Sequence, residues 1–223
     1  MRTIPIPGSE RIVHYCTVRD AATLVWAANL ASLELHVLLS RAPKIDRPTM
    51  MVFDLDPGAP ADVLDCARVA MEFKATLEHL GLQSFVKTSG SKGLHLLVPL
   101  NTLVTFDQTK SLANALAKLM EQQDPKRITS QMKRDLRGGK VFIDWSQNDE
   151  HKTTVCAYSM RGTKVPSVST PITWDELKKA EKAGNRDAFV FAPADVLRRV
   201  KRRGDLIAEV LTLKQKLPAP VAL

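Results

Sequence analysis

Three acidic residues stand where a carboxylate is expensive. Asp54 and Asp56 lie two apart in Met50-Met51-Val52-Phe53-Asp54-Leu55-Asp56, and Asp144 follows the apolar run Val141-Phe142-Ile143. Residues two apart on a strand share a face, so Asp54 and Asp56 would sit side by side while Phe53 and Leu55 enter a core. Two like charges that close call for a cation, and hard carboxylate oxygens suit Mg²⁺ or Mn²⁺. A third acid from a neighbouring strand would complete a site for two metal ions that clamp the attacking and leaving oxygens of a phosphoryl transfer. The same residues admit plainer roles: one Asp capping the Pro57-Gly58 turn, and Asp144 paired to a cation such as Arg137.

The second candidate is Ser89-Gly90-Ser91-Lys92-Gly93-Leu94-His95. Its glycines let backbone N–H groups approach an anion, and Ser89, Lys92 and His95 can bind phosphate oxygens. The order differs from a Walker loop, and a strand follows instead of a helix. An ordinary Gly-rich turn fits the same letters.

The elements that must hold these residues read as follows. Apolar recurrence at Leu24, Ala28, Ala31, Leu35 and Leu38 predicts a buried helix over 21–39. A strand over 50–56 stops at Pro57-Gly58, and an amphipathic helix over 62–80 follows, capped by Gly81. Two strands, 85–88 and 94–100, flank the Gly-rich loop; a helix spans 107–122; strands lie near 140–145 and 153–160. Thr173-Trp174-Asp175-Glu176 has the form of a capping box, and a helix over 195–216 is interrupted by Gly204. No internal repeat or low-complexity segment is present.

With 223 residues, 44% hydrophobic and 25% charged, the chain is long enough for one substantial core, which excludes a disordered or collagen-like chain. Cys16, Cys66 and Cys156 are odd in number and widely spaced, which points to buried thiols in a reducing compartment. The N-terminus lacks the apolar segment of a secretion signal, and no run of about 18 apolar residues occurs, so a cytoplasmic protein is expected. The net charge of +8 is uneven: residues 1–100 carry 10 basic and 10 acidic side chains, residues 101–223 carry 22 and 14. Such asymmetry suits a polyanionic partner, with Lys126, Arg127, Lys133, Arg134 and Lys140 as candidate phosphate contacts, though solvated helices give similar numbers.

In combination the motifs become recognisable. Asp20-Ala21-Ala22-Thr23-Leu24-Val25-Trp26, Val52-Phe53-Asp54-Leu55-Asp56-Pro57-Gly58, Lys87-Thr88-Ser89-Gly90-Ser91-Lys92-Gly93-Leu94-His95, Val141-Phe142-Ile143-Asp144-Trp145-Ser146-Gln147-Asn148 and Lys152-Thr153-Thr154-Val155 follow one another in the order of a known family. Over about residues 12–180 the chain resembles the polymerase domain of bacterial ATP-dependent DNA ligase D, of the archaeo-eukaryotic primase superfamily, which serves non-homologous end joining. The resemblance implies an α+β primase-polymerase core, mixed and antiparallel sheets flanked by helices, in a single domain over 1–223 with a basic helical segment over 181–223. It implies that Asp54, Asp56 and Asp144 hold two Mn²⁺ or Mg²⁺ ions and that Ser89, Lys92 and His95 hold the triphosphate. Arg137 and Arg161 match basic residues near the same phosphates, with Lys152 a weaker match. Expected partners are DNA ends or primer-template, ribo- or deoxynucleoside triphosphates, Ku and a DNA ligase, in the nucleoid and away from membranes. The family carries an N-terminal αβ module ahead of the part matching Ile12 to Ala22, and its 5′-phosphate pocket is expected to be missing here.

Two other readings compete. Met51-Val52-Phe53-Asp54-Leu55-Asp56 resembles the opening motif of haloacid-dehalogenase-type phosphatases, whose first Asp is phosphorylated, but Pro57-Gly58 departs from that pattern. A catalytically inactive, DNA-binding accessory protein would also use the basic half.

Overall fold

The structure, a computed structural model, describes residues 2–7 and 12–218; the single domain expected over 1–223 extends at both ends beyond them. It is an α+β fold around a six-stranded sheet. The strand order is Pro171–Ile172, Phe85–Thr88, Leu94–Pro99, Met50–Pro57, Val141–Asp144, Ile128–Thr129. All neighbours are antiparallel except the last pair, which is parallel.

Met50–Pro57 is central because both of its faces have something to bury. Met51, Phe53 and Leu55 enter the main core with Leu94, Leu96 and Val98, beneath the helices Val63–His79 and Phe106–Gln123. Each helix starts at a capping box, Asp62 with Asp65 and Thr105 with Gln108, which satisfies backbone N–H groups at its first turn. Phe53 and Phe73 meet edge-on with ring centres 4.4 Å apart, and truncating either to Ala should cost about 3–5 kcal/mol. On the opposite face Val52 and Leu97 join Leu39, Phe106, Ile207 and Val210 in a smaller cluster. Beyond Val52 that face turns acidic, at Asp54 and Asp56.

The helix expected over 21–39 is a correction. It runs only from Ala21 to Asn29, capped by Asp20, and of its residues only Ala27 is buried. Ala31 adopts φ 57 and Ser32 N–H returns to the Ala27 carbonyl, which ends the helix; His36–Val37 then pairs with Thr154–Val155. Val25 and Leu30 are 61% and 62% exposed. An apolar period shows that a face is greasy, not that anything covers it. The helix expected over 195–216 ends at Arg203, where Gly204 at φ 72 leaves helical space; a short 3₁₀ turn, Ala208–Leu211, and an extended tail follow.

The strand expected near 153–160 is two, Thr154–Val155 and Met160–Arg161, separated by Tyr158 at φ 66. A hairpin of Arg2–Pro7 and Ile12–Thr17 was not legible, because Pro5 and Pro7 interrupt the strand signal. Cys66 alone of the three cysteines is buried; Cys16 is exposed and Cys156 intermediate, so burial of all three does not hold. Among the described residues no helix is long and apolar enough to cross a membrane.

Candidate active site

The sheet register lines up four polar side chains in one row. Asp144 lies opposite Asp54, Asp54 opposite His95, and His95 opposite Lys87, across four consecutive strands. Residues directly opposed share a face, and strands are about 4.8 Å apart, so the row extends roughly 14 Å. Asp56, two residues along from Asp54, shares this face and lies opposite Phe142. The strand thus brings Asp54 and Asp56 together as its alternation demands, and the sheet adds Asp144 and His95.

The row lies in a poor solvent for charge. Only 20% of the Asp54 side chain is exposed, and its Oδ1 is buried with no aligned hydrogen-bond donor. His95 Nε2 approaches Oδ1 at 3.3 Å, while His95 Nδ1 is 3.3 Å from the Thr154 hydroxyl. Burial works to raise the Asp54 pKa, but His95, Lys87 and Arg161 outweigh it and hold the carboxyl below its usual range. Asp56 goes the other way, up to about 6, through burial first and the charge of Asp54 second. Burial also pushes His95 down, with Lys87 adding to it, and lowers Lys87 to about 7.

Asp144 is held by its own turn. Its Oδ1 accepts from Ser146 N–H at 3.0 Å and from the Ser146 hydroxyl at 2.6 Å, and its Oδ2 accepts from Gln147 Nε2 at 3.0 Å. Lys152 Nζ donates to the Ser146 hydroxyl and so reaches Asp144 through one intermediary. Among the described residues no ion pair joins Arg137 to Asp144. Arg137 donates to the Met132 carbonyl and stacks on Phe142, its guanidinium 3.5 Å from the ring centre, beside Asp56.

The Gly-rich loop closes against the same end of the strand. The Ser89 hydroxyl accepts from Ser91 N–H and Gly93 N–H, at 3.2 and 3.1 Å, so Ser89 organises the turn from inside. Any side chain at Gly93 would overlap the Leu55 carbonyl, and one at Gly90, where φ is 72, would strike Arg161 and the Ser169 backbone. Lys92 Nζ lies 3.4 Å from the Pro57 carbonyl. Arg161 Nε is 3.4 Å from Glu34, a loose pair beside the loop. Of the residues expected from sequence, His95 and Asp54 are in direct contact, Asp56 and Asp144 share their face, Ser89, Lys92 and Arg161 lie at the loop, Arg137 stacks on Phe142, and Lys152 reaches Asp144 only through Ser146.

Lys87 and Asn148 were missed as site residues. Lys87 is buried at 1% exposure and donates to the Ser169 hydroxyl at 2.6 Å, which donates on to the Thr88 carbonyl. A lysine inside the short β-like run Phe85–Thr88 was the available signal. Asn148 is fully buried and anchored to the backbone of Val52.

The donor set fits a hard divalent cation. Asp54 offers a buried oxygen that lacks a donor, Asp56 carries the strain of a neighbouring like charge, and both are oxygen ligands on one face. Among the described residues no three His, Cys, Asp or Glu side chains converge as a ready-made metal cage. Asp144, with both oxygens engaged by Ser146 and Gln147, would give up or share those bonds on binding an ion. Of the proposed phosphate contacts outside the site, Arg127 pairs with Glu72 and Asp124, and Lys140 donates to the Pro125 carbonyl.

The chain has clear relatives. Residues 1–207 match the family model for the LigD primase-polymerase domain. The multifunctional non-homologous end joining protein LigD of Mycolicibacterium smegmatis is 41% identical over 196 residues, 87% of this chain and 25% of that protein. The bifunctional LigD of Bacillus subtilis is 32% identical over 186 residues, 83% of this chain and 30% of that protein. The chain thus spans about a quarter of the length of such relatives. In structure it is similar to the polymerase domain of Mycobacterium tuberculosis ligase D in complex with DNA, with a TM-score of 0.84 and 37% identity over 93% of this chain and 73% of that one. A chain that matches the family model over nearly all of its length, and is about 40% identical to LigD relatives, belongs to the LigD primase-polymerase domain family.

Proposed function

We propose that this protein is a template-directed nucleotidyltransferase that adds ribo- or deoxynucleotides to a primer 3′-hydroxyl during DNA end joining. The carrying observation is the row Asp144, Asp54, His95, with Asp56 beside it and the Gly-rich loop at its end. In the reaction the primer 3′-hydroxyl loses its proton to solvent as its oxygen bonds the α-phosphorus, the bond to the bridging oxygen of the β-phosphate breaks, and pyrophosphate leaves. Two Mn²⁺ or Mg²⁺ ions held by Asp54, Asp56 and Asp144 would supply charge stabilisation for the attacking and leaving oxygens.

The chain's own residues do the rest. The loop over 89–93 and Lys92 would receive the triphosphate, with Arg161 and Arg137 at its flanks and Lys152 behind Asp144. His95, whose Nε2 lies 3.3 Å from Asp54 Oδ1, positions the Asp54 carboxylate. DNA binding is supported by the solved relative, which is a DNA complex. Ku and a DNA ligase are the partners that the family resemblance implies.

The test is extension of a primed template by the purified protein with Mn²⁺ or Mg²⁺ and each nucleotide type. Extension abolished by Asp56→Asn supports the reading. DNA binding without extension under every condition would instead make the chain a DNA-binding accessory.

A further inference from the structure

A second concave feature lies at the opposite end of the central strand. It is a cleft of about 820 Å³ bounded by the hairpin Ser40–Arg41 with Lys44–Pro48, by the turn over 101–104, and by the extended tail over 214–217. Arg41, Lys44, Arg47, Lys214 and Lys216 all line it, and among the described residues no carboxylate does. These cations come from two segments some 170 residues apart, so they are not the solvated face of one helix.

The tail is fixed so as to aim its lysines. Gln215 N–H donates to the Leu100 carbonyl, and its side-chain amide donates to Gln83 and Pro99 carbonyls at 2.9 and 2.7 Å. In an extended segment neighbours point to opposite sides, so a Gln215 hooked inward turns Lys214 and Lys216 into the cleft. Asn101, at φ 47, ties the same tail through Val210 and Leu213 carbonyls, and Arg41 donates to the Leu211 carbonyl. Arg47 has only a loose exposed contact with Asp46 at 3.8 Å, which costs it little as a phosphate ligand. Ala42, Pro48, Leu103, Val104 and Leu217 supply its apolar lining, and among the described residues no aromatic ring lines the cleft to stack on a base. Lys214 and Lys216 lie beyond residue 207, where the family match ends.

We propose that this cleft binds the phosphate backbone of the DNA duplex whose primer end occupies the acidic row, an inference that rests on the function proposed above. Thr49 lines the cleft and begins the segment leading to Asp54, five residues on, so the two sites are about 17 Å apart along the strand. At roughly 3.4 Å per phosphate of one strand, that is about five base pairs from the primer terminus. The contact is electrostatic and reads no sequence.

The experiment compares the wild-type chain with the triple variant Lys44→Gln, Arg47→Gln, Lys214→Gln, and with Lys44→Arg, Lys214→Arg. Binding of labelled primer-templates of graded duplex length is measured between about 50 and 200 mM salt, with circular dichroism to verify folding. Each lost phosphate contact lowers the slope of log K against log salt by about 0.9, so the triple variant should lose about 2 to 3 in slope and at least tenfold in affinity at the lowest salt. The Arg variant should retain both. The deficit should disappear for duplexes shorter than about five base pairs. Binding of nucleoside triphosphate with Mn²⁺, measured by calorimetry, should be unchanged in the triple variant. Wild-type affinity and slope in a folded triple variant overturn the proposal, as does a deficit seen with inorganic phosphate and absent with DNA. If the wild-type chain fails to extend primers while the slope difference persists, the catalytic reading falls and the cleft stands.

Discussion

One carboxamide, that of Asn148, satisfies both backbone polar groups of Val52: Oδ1 accepts from Val52 N–H at 2.9 Å and Nδ2 donates to the Val52 carbonyl at 2.8 Å. Nδ2 also donates to the Trp145 carbonyl at 2.9 Å. The strand Val141–Asp144 pairs with the central strand only as far as Asp54, and Asn148 serves Val52 where that ladder has ended. A single side chain thereby ties the turn after Asp144 to the strand that carries Asp54. Asn148→Leu leaves a buried donor and acceptor unpaired and should destabilise the protein by about 2–5 kcal/mol in urea titration. Primer extension should fall by more than the loss of folded protein, because the spacing of Asp144 and Asp54 is disturbed. Equal losses in both measurements would confine Asn148 to a structural role.

The acidic residues should separate by what else each one does. Asp56→Asn should abolish extension without destabilising the fold, since Asp56 carries an unfavourable charge. Asp144→Ala should abolish extension and also cost about 0.5–2 kcal/mol, because it removes the cap on Ser146 N–H. Thermal unfolding beside an extension assay measures both; undiminished extension in either variant would show the metal ligands to be misassigned.

Asp56 also sets a pH dependence. Its folded pKa, about 6, lies above the ordinary value of 3.8, so the folded state holds the proton more tightly than the unfolded state does. Its contribution favours folding below about pH 4 and is lost as pH rises through about 6. In metal-free buffer, Asp56→Asn should therefore gain stability relative to wild type across that window. Added Mn²⁺ should raise the wild-type melting temperature more at pH 7 than at pH 5, because proton and cation compete for the same oxygens. A metal-induced shift independent of pH, or one retained in Asp56→Asn, would count against a cation at this carboxylate.

Lys87 should act in the opposite window. Burial lowers its pKa to about 7, with Arg161 adding to this and Asp54 opposing, so the unfolded chain binds the proton more tightly and stability rises from about pH 7 toward 10. Lys87→Met should flatten that rise and leave the fold intact. It should also weaken extension, because the charge beside His95 and Asp54 is gone. Denaturant midpoints measured at pH 7 and pH 9.5 test the first point, and a wild-type pH profile of extension in the variant would exclude the second.

Lys92→Ala should raise the apparent KM for nucleotide several-fold while leaving stability within about 0.5 kcal/mol. Its side chain is exposed and its hydrogen bond goes to the Pro57 carbonyl, so the loop loses little without it. An effect on DNA affinity alone would assign the loop to template rather than triphosphate.

What the sequence determined by itself was local. The alternation of Met50–Pro57, the helices Val63–His79 and Phe106–Gln123, the capping box at Thr173, and the Gly-rich loop between two strands are written in neighbouring residues, and each formed within a residue or two of its expected bounds. The pairing of Asp54 with Asp56 on one face needed nothing beyond the strand period. The tertiary structure decided which strands became neighbours. Asp144 and His95 flank Asp54 because of register between segments 41 and 90 residues apart, which no local pattern encodes. It also decided what covers an apolar face: the period over 21–39 was real, yet Ala31 broke the helix and the rest of it stayed largely open. Burial of Lys87 and the Asn148 clasp on Val52 follow the same rule, since a polar group's role depends on what folding places around it, and that is a property of distant parts of the chain.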